Sequence, residues 1–348
     1  MAVSNSSIEW TDSTWSPVTG CTKVSAGCDN CYAETIAHRF AGSKAFPNGF
    51  EVTLHPERLE QPLKWRKPRQ IFVNSMSDLF HDSVPDEYIA KVFAVMAQTP
   101  QHTYQILTKR HARMRSLLTD LCRCGVGHPP GTHFRSSMAW ASTSHSPTYV
   151  PGLNGRDVHQ AWPLPNVWLG VSVENQQWAD IRVPALLDTP AAVRWISAEP
   201  LLGPIDLHNV RGIDALWPDW MGGPTGGTGA PHPLLDWVVV GGESGPGARP
   251  MHPAWARALR DQCQKADVPF LFKQWGAWRP EPIYDTSGRY HVVMPDGRDR
   301  GTPWSGWGID QPDAVTMERV GKGAAGRELD GRTWDEFPET VTAAGVNG

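Results

Sequence analysis

Three cysteines near the start of the chain constrain this sequence most. Cys21, Cys28 and Cys31 follow the spacing C-x6-C-x2-C, and no fourth cysteine lies near them in the sequence. Three thiolates can hold three irons of a four-iron cluster and leave the fourth iron open to a small molecule, whereas a cluster with four thiolates is closed and mostly passes electrons. The spacing therefore predicts a 4Fe-4S cluster with one open iron.

A structural zinc site is the alternative interpretation. Such a site needs four ligands; the nearest candidate for the fourth is His38, and a second candidate zinc site farther along the chain comprises Cys122, Cys124 and His128. Disulfides are disfavoured, because the sequence has neither a signal peptide nor an apolar run of about 18 residues. These features predict a cytoplasmic protein without a membrane segment, in which thiols stay reduced.

The rest of the chain alternates short apolar runs with helical patterns. Six or seven such units follow one another between residues 71 and 273, which favours an α/β fold with a complete or partial parallel (β/α) barrel. The predicted organisation is a barrel over 1–275, with a cysteine loop at 20–34 and insertions at 122–165 and 208–234, and a C-terminal extension over 276–348 that is rich in strands and loops and packs on the barrel.

Local signals refine this organisation. The two insertions lack periodicity and are expected to be loops. Pro184 is expected to break or restart the helix predicted over 174–187. Cys263 lies inside a predicted helix and is expected to be a half-buried structural thiol.

Polar residues directly follow five of the predicted strands. They are Asn74, Ser75, Asp78, Lys109, Ser172, Glu174, Ser197, Glu199 and Glu243. The carboxyl ends of parallel strands share one face of a barrel, and that face holds the active site. We therefore expect these side chains to face one cavity, with the cysteine loop at its mouth.

With these features the chain resembles radical S-adenosylmethionine (SAM) proteins, and more closely a phage-associated family of uncharacterised proteins with a three-Cys motif. The matching stretches are 8–12, 17–21, 27–33, 71–81, 106–109, 170–174, 197–200, 241–245 and 326–334. Residues 27–33 and 107–109 are also similar to the spore photoproduct lyase branch, which repairs a DNA photolesion. The resemblance covers nearly the whole chain except the two insertions.

The chain departs from the common radical SAM pattern, which is C-x3-C-x2-C with an aromatic residue before the third cysteine. Here the first gap is six residues, Asn30 precedes the third cysteine and the aromatic Tyr32 follows it. Residues 74–78 replace the usual Gly-Gly-Glu after the second strand, and a Gly-Gly-Glu at 241–243 follows a later strand.

The resemblance implies a radical SAM-like iron–sulfur enzyme. Cys21, Cys28 and Cys31 would ligate the cluster, and one electron from a donor would cleave SAM to a 5′-deoxyadenosyl radical that abstracts hydrogen from an unknown substrate. Modification or repair of nucleic acid is one reaction of this class. The alternative is a noncatalytic zinc or iron–sulfur protein on a barrel scaffold that binds nucleic acid or a phage partner.

The strand-end residues take their expected roles from the same resemblance. Lys109 is the candidate catalytic residue, which would orient substrate or SAM, or pair with Asp78 or Glu199. Asp78 or Glu199 is expected at the amino or ribose groups of SAM. The candidates for cofactor binding are Asn74, Ser75, Asp78, Ser172, Glu174, Ser197, Glu199 and Glu243.

A nucleic-acid partner is predicted only from local features, because 32 basic and 36 acidic residues give a net charge of −4. The candidate contacts are Arg58, Lys64, Trp65, Arg66, Lys67 and Arg69, with a second basic run at 109–115. If the substrate is a nucleic acid, both runs should rim the same cavity and Trp65 should stack on a base. Otherwise they are a solvated face or a basic rim for SAM. A partner protein encoded beside this chain is a further expectation from the resemblance.

Overall fold

The computed structural model describes residues 8–120, 128–142, 162–218, 233–280, 289–298 and 313–339. Its strands are β1 (Ser13–Trp15), β2 (Val18–Thr19), β3 (Thr53–Leu54), β4 (Gln70–Val73), β5 (Thr103–Thr108), β6 (Val167–Ser172), β7 (Val193–Ala198), β8 (Trp237–Gly241), β9 (Phe270–Gln274), β10 (Trp278–Pro280), β11 (Tyr290–Val293) and β12 (Val315–Arg319). Its helices are α1 (Tyr32–Arg39), α2 (Asp86–Ala97), α3 (His111–Thr119), α4 (Thr132–Ala141), α5 (Gln176–Leu187), α6 (Pro253–Ala266) and α7 (Lys322–Ala325).

The strand order determines the shape of the central sheet. Seven parallel strands pair in the order β1, β4, β5, β6, β7, β8, β9. These seven strands have the same order in the sheet as in the chain, so every crossover moves in the same direction. The sheet curls into a half-barrel with helices against it. The predicted α/β fold with a partial parallel (β/α) barrel is confirmed.

Alternate residues of the strands face two separate cores. The larger core lies under the helices and includes Ile71 and Val73 of β4. The smaller one lies on the other face of the sheet and is built from Phe72 and the tryptophans at 10, 168, 195 and 237. A Cβ atom at Gly170 would lie 2.5 Å from Cε2 of Trp195, so glycine is required there to seat the indole.

Two helices differ from the sequence-based expectations. Helix α5 continues through Pro184. Proline has no backbone N–H to donate within the helix, but the side chains of Val183, Leu186 and Leu187 pack in the core and stabilise the helix there. Helix α4 lies inside the segment 122–165 that was expected to be a loop. Its Phe134 ring packs 5.2 Å from that of Phe93 on α2.

The last described residues pack against the barrel. Strands β10, β12 and β11 form a small antiparallel sheet in that order. Farther on, the carbonyl of Trp334 accepts a hydrogen bond from the Phe272 amide of β9 at 2.9 Å, and the indole of Trp237 donates to the Glu336 carbonyl at 2.9 Å. In the described parts of the chain, no helix is long and apolar enough to cross a membrane.

Candidate functional site

A cavity of about 580 Å³ opens at the carboxyl end of the central sheet. The predicted strand-end residues that line it are Ser75, Lys109, Ser172, Ser197, Glu199 and Glu243. Trp10, Phe72 and Leu107 add an apolar wall. The structure therefore brings residues from five strand ends together around one volume, as parallel strands do.

The cysteine loop lies beside this cavity. Cys31 lines it and immediately precedes helix α1, whose Tyr32 also lines it and donates its hydroxyl to the Ser75 carbonyl at 2.6 Å. Cys21, Cys28 and Cys31 are free thiols, each partly exposed. The loop is therefore accessible from the cavity side and from solvent.

The fully buried carboxylate of Glu174 contacts the cysteine loop. Glu174 accepts a hydrogen bond from the Ser25 hydroxyl at 2.7 Å and one from Arg182 at 2.9 Å. A Cβ atom at Gly27 would lie 2.3 Å from the same carboxylate, so the loop can approach only because position 27 has no side chain. Glu174 is thus engaged in holding the loop, and it is absent from the cavity wall described above.

The Lys109 ammonium pairs with neither of the side chains expected to pair with it. Its ammonium lies 3.4 Å from Oε1 of Glu174, and only its backbone amide reaches Asp78, at 3.0 Å. The predicted pairing with the Asp78 or Glu199 side chain is therefore wrong. The lysine remains at the cavity wall, where it shares the Glu174 carboxylate with Arg182.

A second carboxylate holds the other side of the cysteine loop. Glu243 accepts hydrogen bonds from the guanidinium of Arg249 at 2.7 and 2.8 Å and from the Asn30 amide at 3.1 Å. Arg249 also donates to the Ala26 carbonyl at 2.8 Å and to Asp29 at 3.3 Å. The loop is consequently tied to the segment that follows β8.

Glu199 forms an ion pair with Lys273 at the end of β9. Its two carboxylate oxygens accept from the ammonium of Lys273 at 2.9 and 2.8 Å, and Oε1 also accepts from Gln274 at 3.1 Å. Both partners lie at the end of β9 and line the cavity. The same rule that selected the other strand ends, a polar residue at the carboxyl end of an apolar strand, would have selected them.

Asp78 and Asn74 are buried beneath the cavity wall. Asp78 accepts hydrogen bonds from the Thr108 hydroxyl at 2.7 Å and the Phe80 amide at 3.0 Å, and it pairs with Arg110 at 3.3 Å. Asn74 has a positive φ of 59° and accepts from the Val18 amide at 3.3 Å. The Asp78 carboxylate is thus committed to contacts within the protein, whereas the buried Nδ2 of Asn74 has no hydrogen-bond partner among the described residues.

Arg110 connects Asp78 to the first cysteine. Its guanidinium donates to Sγ of Cys21 at 3.4 Å. Burial raises the pKa of the Cys21 thiol to about 11, the Asp78 charge adds to the rise, and the Arg110 charge opposes it. Without a metal, Cys21 therefore holds its proton more tightly than an ordinary thiol.

The first basic run contributes nothing to the cavity wall. Residues 64–69 lead into the amino end of β4, whereas the cavity lies at the carboxyl end. Trp65 packs against the larger core, its ring 6.0 Å from that of His102, with the Arg69 guanidinium 5.5 Å away. The two basic runs therefore do not rim one cavity, as they should if a nucleic-acid substrate bound there, because the first run precedes its strand and only Lys109 of the second lines the cavity.

Four other basic residues near these runs contact protein groups, whereas two are exposed. Arg58 donates to the Ser16 carbonyl at 3.1 Å, and Lys64 pairs with Glu60 at 3.2 Å. Arg66 and Lys67 are exposed. Arg113 and Arg115 pair with Asp86 and Asp188, respectively.

The second candidate zinc site lies mostly outside the described residues. Cys122 and Cys124 are not described, and the His128 ring lies 5.6 Å from that of His133. Among the residues that the structure describes, no three His, Cys, Asp or Glu side chains are grouped so that they could hold a single metal ion.

Comparisons with known proteins complete the description. Three solved chains of spore photoproduct lyase match 92% of this chain and 71% of their own length. A cysteine mutant gives a TM-score of 0.39 at 12% identity, a complex with dinucleoside spore photoproduct gives 0.38 at 10%, and a double mutant with bound AdoMet and dinucleoside spore photoproduct gives 0.37 at 8%. A search of curated protein sequences found no match. The model of DUF5131, a family of proteins of unknown function, matches residues 5–338, and this chain therefore belongs to that family.

Proposed function

We propose that this protein is a radical SAM-type enzyme that binds a 4Fe-4S cluster through Cys21, Cys28 and Cys31. The observation that carries the proposal is the placement of three free cysteines on a loop held against a cavity at the carboxyl end of a partial barrel. Three thiolates suit a four-iron cluster with one open iron. When bound, a reduced cluster and SAM would supply a carbon-centred radical that abstracts hydrogen from a substrate.

The residues of this chain fit such a group in two respects. The loop is fixed in advance by Glu174 and Glu243, so little ordering remains to be done when ligands bind. The sulfur of Cys21 also receives a hydrogen bond from the Arg110 guanidinium, which opposes the rise of its pKa caused by burial. The three thiols thus lie on one braced loop, with a cation beside the first of them.

The cavity residues would position SAM and its reaction partner. Lys273 and Glu199 present adjacent opposite charges, which match an amino acid moiety that carries both an amine and a carboxylate. Ser172 and Ser197 offer hydroxyls on the neighbouring strand ends. The apolar wall formed by Trp10 and Phe72 limits water around the reacting groups.

Anaerobic reconstitution with iron and sulfide tests the cluster. We expect a brown protein whose iron content falls sharply when any one of Cys21, Cys28 or Cys31 is replaced by Ala, because each supplies one thiolate. Cys263→Ala is the matched control, since this thiol is buried in helix α6. A colourless protein with stoichiometric zinc would instead support the noncatalytic metal-binding protein.

Addition of SAM and dithionite to the reconstituted protein tests the chemistry. We expect 5′-deoxyadenosine to accumulate, and we expect none from the Cys28→Ala variant. A protein that holds its cluster yet forms no 5′-deoxyadenosine would contradict the enzymatic part of the proposal. The substrate, a nucleic acid or a partner protein encoded beside this chain, can then be sought with the radical reaction as the assay.

A further inference from the structure

Arg110 occupies a specific position between the sheet and the cysteine loop. It directly follows Lys109 at the end of β5 and caps the start of α3. One branch of its guanidinium donates to Sγ of Cys21 at 3.4 Å. The other branch donates to the Thr22 carbonyl at 3.1 Å and to the Thr22 hydroxyl at 2.8 Å. A single side chain thus contacts a thiol and the residue that follows it.

Asp78 determines the orientation of this guanidinium. Its Oδ2 accepts from Arg110 at 3.3 Å and from the Lys109 amide at 3.0 Å, while its Oδ1 accepts from Thr108 and Phe80. The side chain of Asp78 is 7% exposed and that of Arg110 is 10% exposed. With both oxygens engaged the carboxylate has little freedom to rotate, so the guanidinium is held toward the sulfur.

The chemistry of such a contact is specific. Guanidinium stays positively charged at all relevant pH values. Hydrogen bonds to cluster sulfurs, together with net charge and solvent exposure, set the reduction potential of an iron–sulfur cluster. A reduced cluster carries one more negative charge than an oxidised one, so a cation close to a ligand sulfur stabilises the reduced form.

We propose that Arg110 is a positioning residue that seats Cys21 and raises the reduction potential of the cluster. The inference rests on the proposed function, because it takes Cys21 as a cluster ligand. It assigns Asp78 the task of orienting Arg110, in place of the contact with SAM expected from the sequence.

A purely structural role for Arg110 makes a different prediction. If Arg110 only braced the loop, its loss would lower the amount of cluster bound, and the potential of the clusters that form would be unchanged. If Arg110 also acts on the cluster electrostatically, the potential falls in every cluster that forms. The potential is therefore the measurement that separates the two roles.

The test compares Arg110→Gln, Arg110→Lys and Arg115→Gln after anaerobic reconstitution. Arg115 lies on the same helix and pairs with Asp188 at the surface, so its replacement removes the same charge away from the cysteines. The measurements are the iron content and the midpoint potential from a redox titration followed by electron paramagnetic resonance, in the absence of SAM.

We expect the equilibrium constant for one-electron reduction to fall about tenfold in Arg110→Gln, a shift of about 59 mV to lower potential. Arg110→Lys keeps the charge without the forked donors, and its potential should lie between those of the wild type and Arg110→Gln. Arg115→Gln should match the wild type. If Arg110→Gln does not retain its cluster, Arg110→Met takes its place as the neutral variant, and a wild-type potential there would overturn the inference.

The failures of the two proposals are distinguishable. An Arg110→Gln protein with full iron content and a wild-type potential would overturn this inference and leave the proposed function intact. An equal shift in Arg115→Gln would also overturn it, because the effect would then be one of net charge alone. A wild-type protein that holds no cluster would overturn both.

Discussion

At the residue scale, Cys263 and Cys21 differ in burial, and this difference should affect how readily each thiol reacts. Cys263 is fully buried in α6 rather than half-buried as expected from the sequence, and burial raises the pKa of its thiol well above the ordinary range. Cys21 is partly exposed, and its thiol has a pKa of about 11. Because only the thiolate is nucleophilic, alkylation can distinguish these environments.

We predict that iodoacetamide modifies Cys21, Cys28 and Cys31 of the metal-free protein and leaves Cys263 unmodified until the protein unfolds. Below its pKa of about 11, Cys21 is mostly a thiol, so its alkylation rate should rise about tenfold for each unit of pH. Peptide mapping by mass spectrometry after timed reaction measures each rate. Modification of native Cys263 as fast as Cys28 would contradict the prediction.

Lys273 provides a second prediction at this scale. Replacing it with Met would leave Glu199 without its ion-pair partner in a mostly buried place. We expect a loss of about 1–3 kcal/mol in the free energy of unfolding. The matched control is Lys322→Met, because Lys322 also lines the cavity but is 48% exposed where it pairs with Glu9, and such pairs contribute about 0–1 kcal/mol. Urea unfolding of both metal-free variants measures the difference, and equal losses would refute it.

The sequence predicted which residues gather at the strand ends but not how they pair. The strand pattern placed Glu174, Glu199 and Glu243 correctly at one end of the sheet, because strand direction alone determines it. Their partners depend on packing between distant segments. Arg182 lies on α5 and Arg249 lies after β8, and no spacing in the chain marks either as the partner of a carboxylate.

At the scale of elements, the cysteine loop depends on close approach between backbone and carboxylate. A methyl group at position 27 would lie 2.3 Å from Oε1 of Glu174. We therefore predict that Gly27→Ala displaces the loop, costs about 1–3 kcal/mol of stability and lowers iron loading severalfold. Gly323→Ala is the control, since a Cβ atom there meets nothing within 4 Å.

Iron content after reconstitution and urea unfolding report the two effects of these substitutions separately. In Gly27→Ala the added methyl group meets Glu174, whereas in Gly323→Ala it meets nothing within 4 Å. An effect common to any glycine-to-alanine replacement would therefore appear in both variants, and an effect of the contact with Glu174 only in Gly27→Ala. Wild-type loading in Gly27→Ala would show that the loop tolerates a side chain at that position and that its contact with Glu174 is dispensable.

The elements that were missed from the sequence have weak local signals. Strand β1 has only three residues, two of them polar, and it exists because it pairs with β4. Helix α4 lies within a segment rich in Gly, Pro and Ser, although Phe134, Met138 and Ala141 do follow a helical spacing. Tertiary packing thus determined elements that local periodicity left ambiguous.

At the scale of the whole molecule, the last described residues join the C-terminal extension to the barrel. Trp334 is 6% exposed, and its ring lies 5.9 Å from that of Phe270 on β9. We predict that Trp334→Ala lowers the free energy of unfolding by about 3–5 kcal/mol. Trp140→Ala, at a site that is 53% exposed, should cost far less. Thermal and urea unfolding provide the comparison, and a small effect at Trp334 would mean that the extension packs weakly.

The exposed basic run and the cavity lie at opposite ends of the sheet, so nucleic-acid binding at each can be tested separately. Arg66 and Lys67 lie before β4, away from the cavity at the carboxyl end of the sheet. Lys109 lines the cavity and is paired with Glu174. Binding at the basic run and binding at the cavity therefore depend on different cations.

We predict that any affinity for single-stranded DNA at about 50 mM salt belongs to the exposed basic run. Replacing Arg66 and Lys67 together with Ala should then reduce the slope of log affinity against log salt by about 1.4, since each phosphate contact contributes about 0.7. Lys109→Met should leave the slope unchanged, because Lys109 lines the cavity at the end of the sheet opposite the basic run. Fluorescence anisotropy over a range of salt concentrations gives the slopes. A larger effect of Lys109→Met would place the nucleic acid in the cavity, and no binding by the wild type would leave a protein or a small molecule as the substrate.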